Sequence, residues 1–415
     1  MKKNDRITPE GTGDLLFEEC RARRHVEQTL SDVFEARGFL KVETPGLEFY
    51  DVFDPDRSGI GQEVMYKTTD RKGRLVVMRP DSTLPVARLA ETRLQNLPKP
   101  LRLYYTQPVY RSNPDLMGRS DETMQTGIEL LGAGGMRADL EVIAAAVESL
   151  RKCAPGFRLE LGHAGIFRSL VQQLPFSADA REDVRSAVET KNYAALDLLL
   201  ENLGGDRRAW AVRQLPRLFG GEEVFEKAAP LCTDLETGQT LQYLRRLYHF
   251  LSELGLGESL IVDLGLVQRN DYYTGVVFSA YVEGRGEAVL VGGRYDNLLG
   301  HFGSPAPAIG FAVNIDALAE EFLKQDTEIC SFRCADVLVH GENGFEVRAL
   351  QYASALRKEG LSCENSVFST TEEALRHARK KGIPRLDVVG ETTKTIHTTE
   401  DADETDSNRA YERKT

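Results

Sequence analysis

Long apolar runs are missing from this chain: across its 415 residues no uninterrupted hydrophobic stretch approaches the ~18 residues a membrane-spanning helix needs. The opening MKKNDRITPEGTGDLL is charged and lacks an apolar centre, so a secretory signal peptide is not expected there and a cytoplasmic location is. Positive charge is in deficit as well. Against 64 Asp+Glu stand 52 Lys+Arg, a formal net charge of -12, which excludes the broad basic footprint of a nucleic-acid binder. The six cysteines, Cys20, Cys153, Cys232, Cys330, Cys334 and Cys363, are scattered. Only Cys330 and Cys334 stand at a ligand-like spacing, with no second Cys or His pair nearby, so no metal is expected and the thiols suit a reducing compartment. None of the seven histidines belongs to an HExxH or Ser/His/Asp arrangement, and His163 reads as a satisfied turn residue after a strand. EGTGD, residues 10 to 14, has no Gly-Lys-Ser/Thr after it and is not a P-loop.

What is present is a chain of two kinds of periodicity. From Leu15 to Arg37 the apolar residues Leu16, Cys20, Val26, Leu30, Val33 and Phe34 recur at helical spacing before Gly38. FLKVETP, GRLVVMRP, LRLYYTQPVYR and TGIELLG read as strands of an antiparallel sheet. ADLEVIAAAVESLRKC is helical with Asp139 as its N-cap, and FRLELGHAG returns to alternation. Residues 176–255 read as a helical insertion in which Trp210 and the leucines pack inward. LIVDLGLV, GVVFSAYV, EAVLVGG and PAIGFAVNI supply further strands, and NIDALAEEFLKQ closes the unit. The expected organisation is α+β: a core over residues 1–325, a small α/β domain over 333–391, and an acidic flexible tail over 392–415.

Polar residues cluster on several of these segments: RPDST at 79–83, YR at 110–111, MQTGIE at 124–129 and DYYTG at 271–275. If RPDST is extended, Asp81 and Thr83 share one face, and alternation likewise limits where Gln125 and Glu129 point. Asp81, Gln125, Glu129 and a hydroxyl of Tyr272 or Tyr273 could accept from an α-amino group or an imidazole N–H, while Arg111 could bond a carboxylate. The competing reading is a sheet face of structurally paired polar groups. GGRYDNL, 292–298, reads as a glycine turn before a helix start.

In order, TPEGTGDLL, RPDST, PVYR, GIELLG, DYYTGVVF, GGRYDNL and PAIGFAVNIDAL resemble the catalytic core of class II histidyl-tRNA synthetases over most of residues 7–325. The resemblance implies an antiparallel class II sheet flanked by helices, with a shortened version of that family's C-terminal α/β domain. It also implies a histidine site built from Asp81, Thr83, Arg111, Gln125, Glu129, Tyr272 and Tyr273. The departures fall on the nucleotide side. Asn113 stands where the family has an acidic residue holding adenine, Ala317 where it has the motif 3 arginine, and Gln268 where an arginine serves activation. Without those cations the charge of a reacting triphosphate is not stabilised.

With LELGHAGIFRSL, this pattern is similar to the regulatory subunits of ATP phosphoribosyltransferase, paralogues of the synthetase. Such a chain is implied to catalyse nothing itself and to need no cofactor. It would self-associate as a dimer and join a short-form catalytic subunit in a hetero-oligomer, often a hetero-octamer, that histidine inhibits. A histidyl-tRNA synthetase is the alternative.

Overall fold

The computed structural model describes residues 6–112, 120–154, 156–203, 205–267, 273–325 and 334–398. Chain contacts divide the molecule into two compact units, Met1–Cys330 and Ser331–Thr415. No helix among the described residues is long and apolar enough to cross a membrane.

The first unit is organised by a nine-stranded sheet. Its strands are β1 (Leu40–Lys41), β5 (Leu101–Tyr110), β6 (Glu122–Leu131), β7 (Arg158–His163), β8 (Phe219–Gly220), β9 (Leu260–Asp263), β10 (Val276–Tyr281), β11 (Leu290–Arg294) and β12 (Ala308–Asn314). They lie in the order β1-β5-β6-β12-β11-β10-β7-β9-β8. The centre is antiparallel as expected, whereas β1 with β5 and β7 with β9 are parallel pairs toward the edges. A three-stranded sheet, β2 (Leu47–Phe49), β3 (Lys67–Thr69) and β4 (Leu75–Met78), sits beside it in the order β2-β4-β3.

Alternation along the central strands sorts two cores onto opposite faces. Ile128, Leu130, Phe278, Ile309, Phe311 and Val313 point to one face, where α1 (Phe17–Ala36) and α4 (Met136–Cys153) cover them. Val26, Leu30, Val33 and Phe34 form the buried stripe of α1. Short α2 (Pro55–Ser58) precedes α3 (Thr83–Arg93), which closes the opposite face over Leu103, Tyr105, Leu131 and Val277.

Several expectations need correcting. Asp139 does not cap α4. The helix starts at Met136 after Gly135, whose φ of +77° suits glycine, and Asp139 is buried in the first turn. There it accepts from Arg294 Nε at 2.9 Å and from the Tyr243 hydroxyl, so a buried ion pair claims the carboxylate. RPDST is not a strand: Thr83 is the first residue of α3, and Asp81 lies in the turn before it. Gly292 and Gly293 lie within β11 rather than in a turn, because the Phe278 and Tyr273 rings occupy the space a Cβ would need.

After α5 (Ala164–Gln172) the insertion carries α6 (Ala178–Glu189), α7 (Tyr193–Leu199), α8 (Arg207–Gln214), α9 (Glu223–Ala228) and α10 (Leu235–Glu253), and contributes β8 to the sheet edge. Val184, Leu196, Val212, Leu244 and Leu247 bury its apolar faces, but Trp210 is 46% exposed and is not a core residue. α11 (Ile315–Gln325) ends the described part of this unit.

In the second unit β13 (Val337–Gly341), β14 (Cys363–Asn365), β15 (Arg385–Val389) and β16 (Thr393–His397) order as β14-β13-β15-β16. α12 (Glu346–Lys358) and α13 (Thr371–Lys381) bury Ala353 and Leu356, and Ala374 and Ala378, on separate clusters. β16 falls within the segment expected to be a tail. Its TKTIH alternation pairs antiparallel with β15 and packs only Ile396, an edge strand with one apolar anchor. Residues 399–415 lie outside the described residues.

Candidate functional site

On the α3 face of the sheet three positions carry no side chain, and side chains from other elements fill the space above them. Gly310 on β12 pairs with Gly293 on β11 and with Glu129 on β6, while Gly127, two residues before Glu129 on β6, pairs with Ala312. A Cβ on Gly310 would fall 1.8 Å from Glu129 Oε2, one on Gly127 2.6 Å from the Tyr105 hydroxyl, and one on Gly293 2.6 Å from the Tyr273 ring. Beside them lies a cavity of about 660 Å³, which Gly310 lines.

Its polar groups converge from separate elements. Asp81 is buried in the turn before α3, its Oδ1 accepting from Leu84 N at 3.1 Å, so it caps the helix from outside. Thr83 is buried one residue into the helix, its hydroxyl bonded to Glu129. Glu129 is 1% exposed on β6 and accepts from the Tyr295 hydroxyl. Burial pushes its carboxyl up to about 8, against the lowering effect of the bonds from Tyr295 and Thr83. Burial raises Asp81 too, opposed by Arg111. The nearby Asp81 carboxylate adds to the rise of Glu129. Gln125, two positions from Gly127 on the same face, has a buried Oε1 with no hydrogen-bond partner among the described residues.

At the mouth, Arg111 donates through Nε to Pro80 O at 2.7 Å and holds Nη2 3.7 Å from Asp81 Oδ2, with its side chain 43% exposed. Tyr273, 6% exposed, borders the cavity from the segment before β10. The structure thus brings Asp81, Thr83, Arg111, Gln125 and Tyr273 onto one cavity, with Glu129 behind its wall and bonded to Thr83 and Tyr295; Tyr272, Gln268 and Asn113 lie outside the described residues. Sequence reading missed Tyr295, whose signal was its place two residues after Gly293, just past the end of β11. Arg79 in the same motif is structural: it donates to Thr44 O at 2.7 Å and Pro45 O at 2.9 Å.

The outer end of the cavity is differently built. Ala317 is there, buried, and its neighbour Asp316 is held by Arg23 Nε at 2.8 Å and by Met124 N at 2.7 Å. Arg285 bonds Ala317 O at 3.1 Å, Glu320 at 2.9 Å and Glu321 at 3.1 Å, and Lys324 bonds Glu321 at 2.7 Å. These cations are already matched by carboxylates. His163 behaves as expected for a turn group, capping α5 through Nδ1 from Gly165 N at 3.1 Å, and burial lowers it to about 4.

Comparison with known proteins bears on this arrangement. A sequence profile described as Histidyl-tRNA synthetase matches residues 11–318. The ATP phosphoribosyltransferase regulatory subunit of Clostridium kluyveri is 39% identical over 384 residues, covering 92% of this chain and 98% of that one. Its counterpart from Clostridium novyi is 37% identical over 391 residues, covering 93% and 92%. A crystal structure titled an ATP phosphoribosyltransferase regulatory subunit/histidyl-tRNA synthetase from Bacillus halodurans C superposes with a TM-score of 0.78 at 29% identity, covering 90% of this chain and 96% of that one. Fold and profile together define a class, the chains built on the class II histidyl-tRNA synthetase scaffold. Within it, this chain belongs to the ATP phosphoribosyltransferase regulatory subunits.

Proposed function

We propose that this chain is the histidine-responsive, non-catalytic partner of a separate ATP phosphoribosyltransferase catalytic subunit of the short form, acting in the cytoplasm at the first step of histidine biosynthesis. One observation carries the reading: buried acceptors with Arg111 as the cation beside them at one end of the cavity, and cations already matched by carboxylates at the other. Asp81, Glu129 and the unpartnered Gln125 Oε1 suit an ammonium group and an imidazole N–H, with Arg111 placed for the carboxylate. Tyr273, with Tyr272 beside it in sequence, would enclose the amino acid. A triphosphate at the outer end would meet Ala317, Asp316 and Glu320, with Arg285 already engaged.

Regulation follows by linkage. Histidine shifts the complex only by the difference in its affinity for two arrangements, and ~1–3 kcal/mol gives a useful response. Self-association as a dimer and assembly into a hetero-octamer are part of the proposal. The test is direct: the purified chain with histidine and ATP gives no pyrophosphate exchange, and adding the short catalytic subunit gives phosphoribosyl transfer that histidine inhibits. Exchange by the isolated chain would instead favour a histidyl-tRNA synthetase.

A further inference from the structure

Tyr273 has a cavity on each side. The second, of about 290 Å³, lies between α5, α6, Val267 and Tyr273, and the function proposed above makes no use of it. That volume sits near the lower end of the ~300–1,000 Å³ typical of small-molecule pockets. Phe167, Val171 and Val277 supply apolar walls, and three arginines stand around them.

The arginines are not equivalent. Arg185 is held between Glu182 and Glu189, the latter at 2.9 Å, so its charge is balanced. Arg168 and Arg181, both half-buried, have no carboxylate within ion-pair distance among the described residues; they reach main-chain oxygens only. Arg168 Nη2 donates to Tyr273 O. Arg181 Nη2 makes long bonds to Gln172 O at 3.3 Å and Leu174 O at 3.4 Å, and its Nε is buried with no partner. Half-buried guanidinium groups without a counter-charge are costly, and the planar fork of N–H donors matches phosphate oxygens best. Two guanidinium groups without an ion pair among the described residues stand beside apolar walls, with Glu182 of the same lining turned to Arg185, and this set fits a dianion attached to a ring.

We propose that this second pocket binds a small organic phosphate, its dianion between Arg168 and Arg181 and its apolar body against Phe167 and Val171. The site stands independently of the histidine reading, since it shares only Tyr273 with the first cavity. The probe is phenyl phosphate, titrated by calorimetry into the full chain, with benzoate and histidine titrated in parallel. Phenyl phosphate should bind saturably in the micromolar to millimolar range and about tenfold or more tighter than benzoate. Arg181→Gln should weaken it about tenfold. Ala178→Trp, a substitution at an exposed position on the pocket rim, should block it without touching the core. Histidine binding should survive both changes. No saturable binding at millimolar phenyl phosphate, equal binding of benzoate, or full retention in both variants would overturn the site. Loss of histidine binding in the unmodified chain alone would count against the first cavity's reading and not this one.

Discussion

The Tyr295 hydroxyl donates to Glu129 Oε2 at the wall of the first cavity, tying the end of β11 to β6 across β12. This bond lowers a carboxyl that burial has raised. Tyr295→Phe removes the donor while keeping the ring, so the Glu129 carboxyl should titrate higher still. Stability should fall by about 1 kcal/mol. Carbon-detected NMR of the carboxyl and urea unfolding read the two effects, and an unmoved titration would contradict the bond.

Glu129 also sets a pH dependence whose sign is fixed. Its carboxyl sits at about 8 in the folded chain against 4.5 ordinarily, so between these values the folded state holds a proton that the unfolded state has released. Its contribution is complete below about pH 4.5 and is lost as pH rises to about 8, a fall of about 3–5 kcal/mol at most. Glu129→Gln should flatten that part of the urea-unfolding profile, and an unchanged slope would place the titration elsewhere.

Histidine binding should release protons. An ammonium group beside Glu129 and Asp81 favours their ionised forms, so at pH 7 a carboxyl that is mostly protonated should give up its proton on binding. Calorimetry in buffers of different ionisation heat should show up to about one proton released per histidine. Binding heats independent of buffer would refute this coupling.

Gly310→Ala should close the cavity. The added methyl falls 1.8 Å from Glu129 Oε2 and 2.4 Å from Ile128 O, and the second contact is main chain in a paired strand that cannot give way. We expect a loss of about 1–3 kcal/mol and no detectable histidine binding. A variant that binds normally would show that the ligand sits elsewhere.

Arg111→Ala should separate binding from folding. The side chain is 43% exposed, so thermal unfolding should move little, by less than about 1 kcal/mol. Losing a charge-assisted bond to a carboxylate should weaken histidine by about tenfold to a hundredfold. Equal affinity in the variant would remove Arg111 from the site.

Much of the sheet was legible because its central strands bury both faces unequally, so TGIELLG, GVVFSAYV and PAIGFAVNI alternate between two cores. The start of α3 was not, because Pro80 and Pro85 flank a motif whose helix is signalled only by Asp81 capping from two residues outside. Tyr295 stayed hidden for a related reason. Gly292 and Gly293 read locally as a turn, and only the rings of Phe278 and Tyr273, brought in from another part of the chain, explain why a strand has no side chains there. Asp139 was legible as a helix-start acid but not as the partner of Arg294, 155 residues away.

A base made of hydrogen-bonded main chain in mid-sheet has little freedom to breathe. Whatever a bound molecule changes must therefore leave through the rim, at the turn that carries Asp81 into α3 or at Tyr273 ahead of β10. A partner able to sense occupancy would have to read one of those two exits.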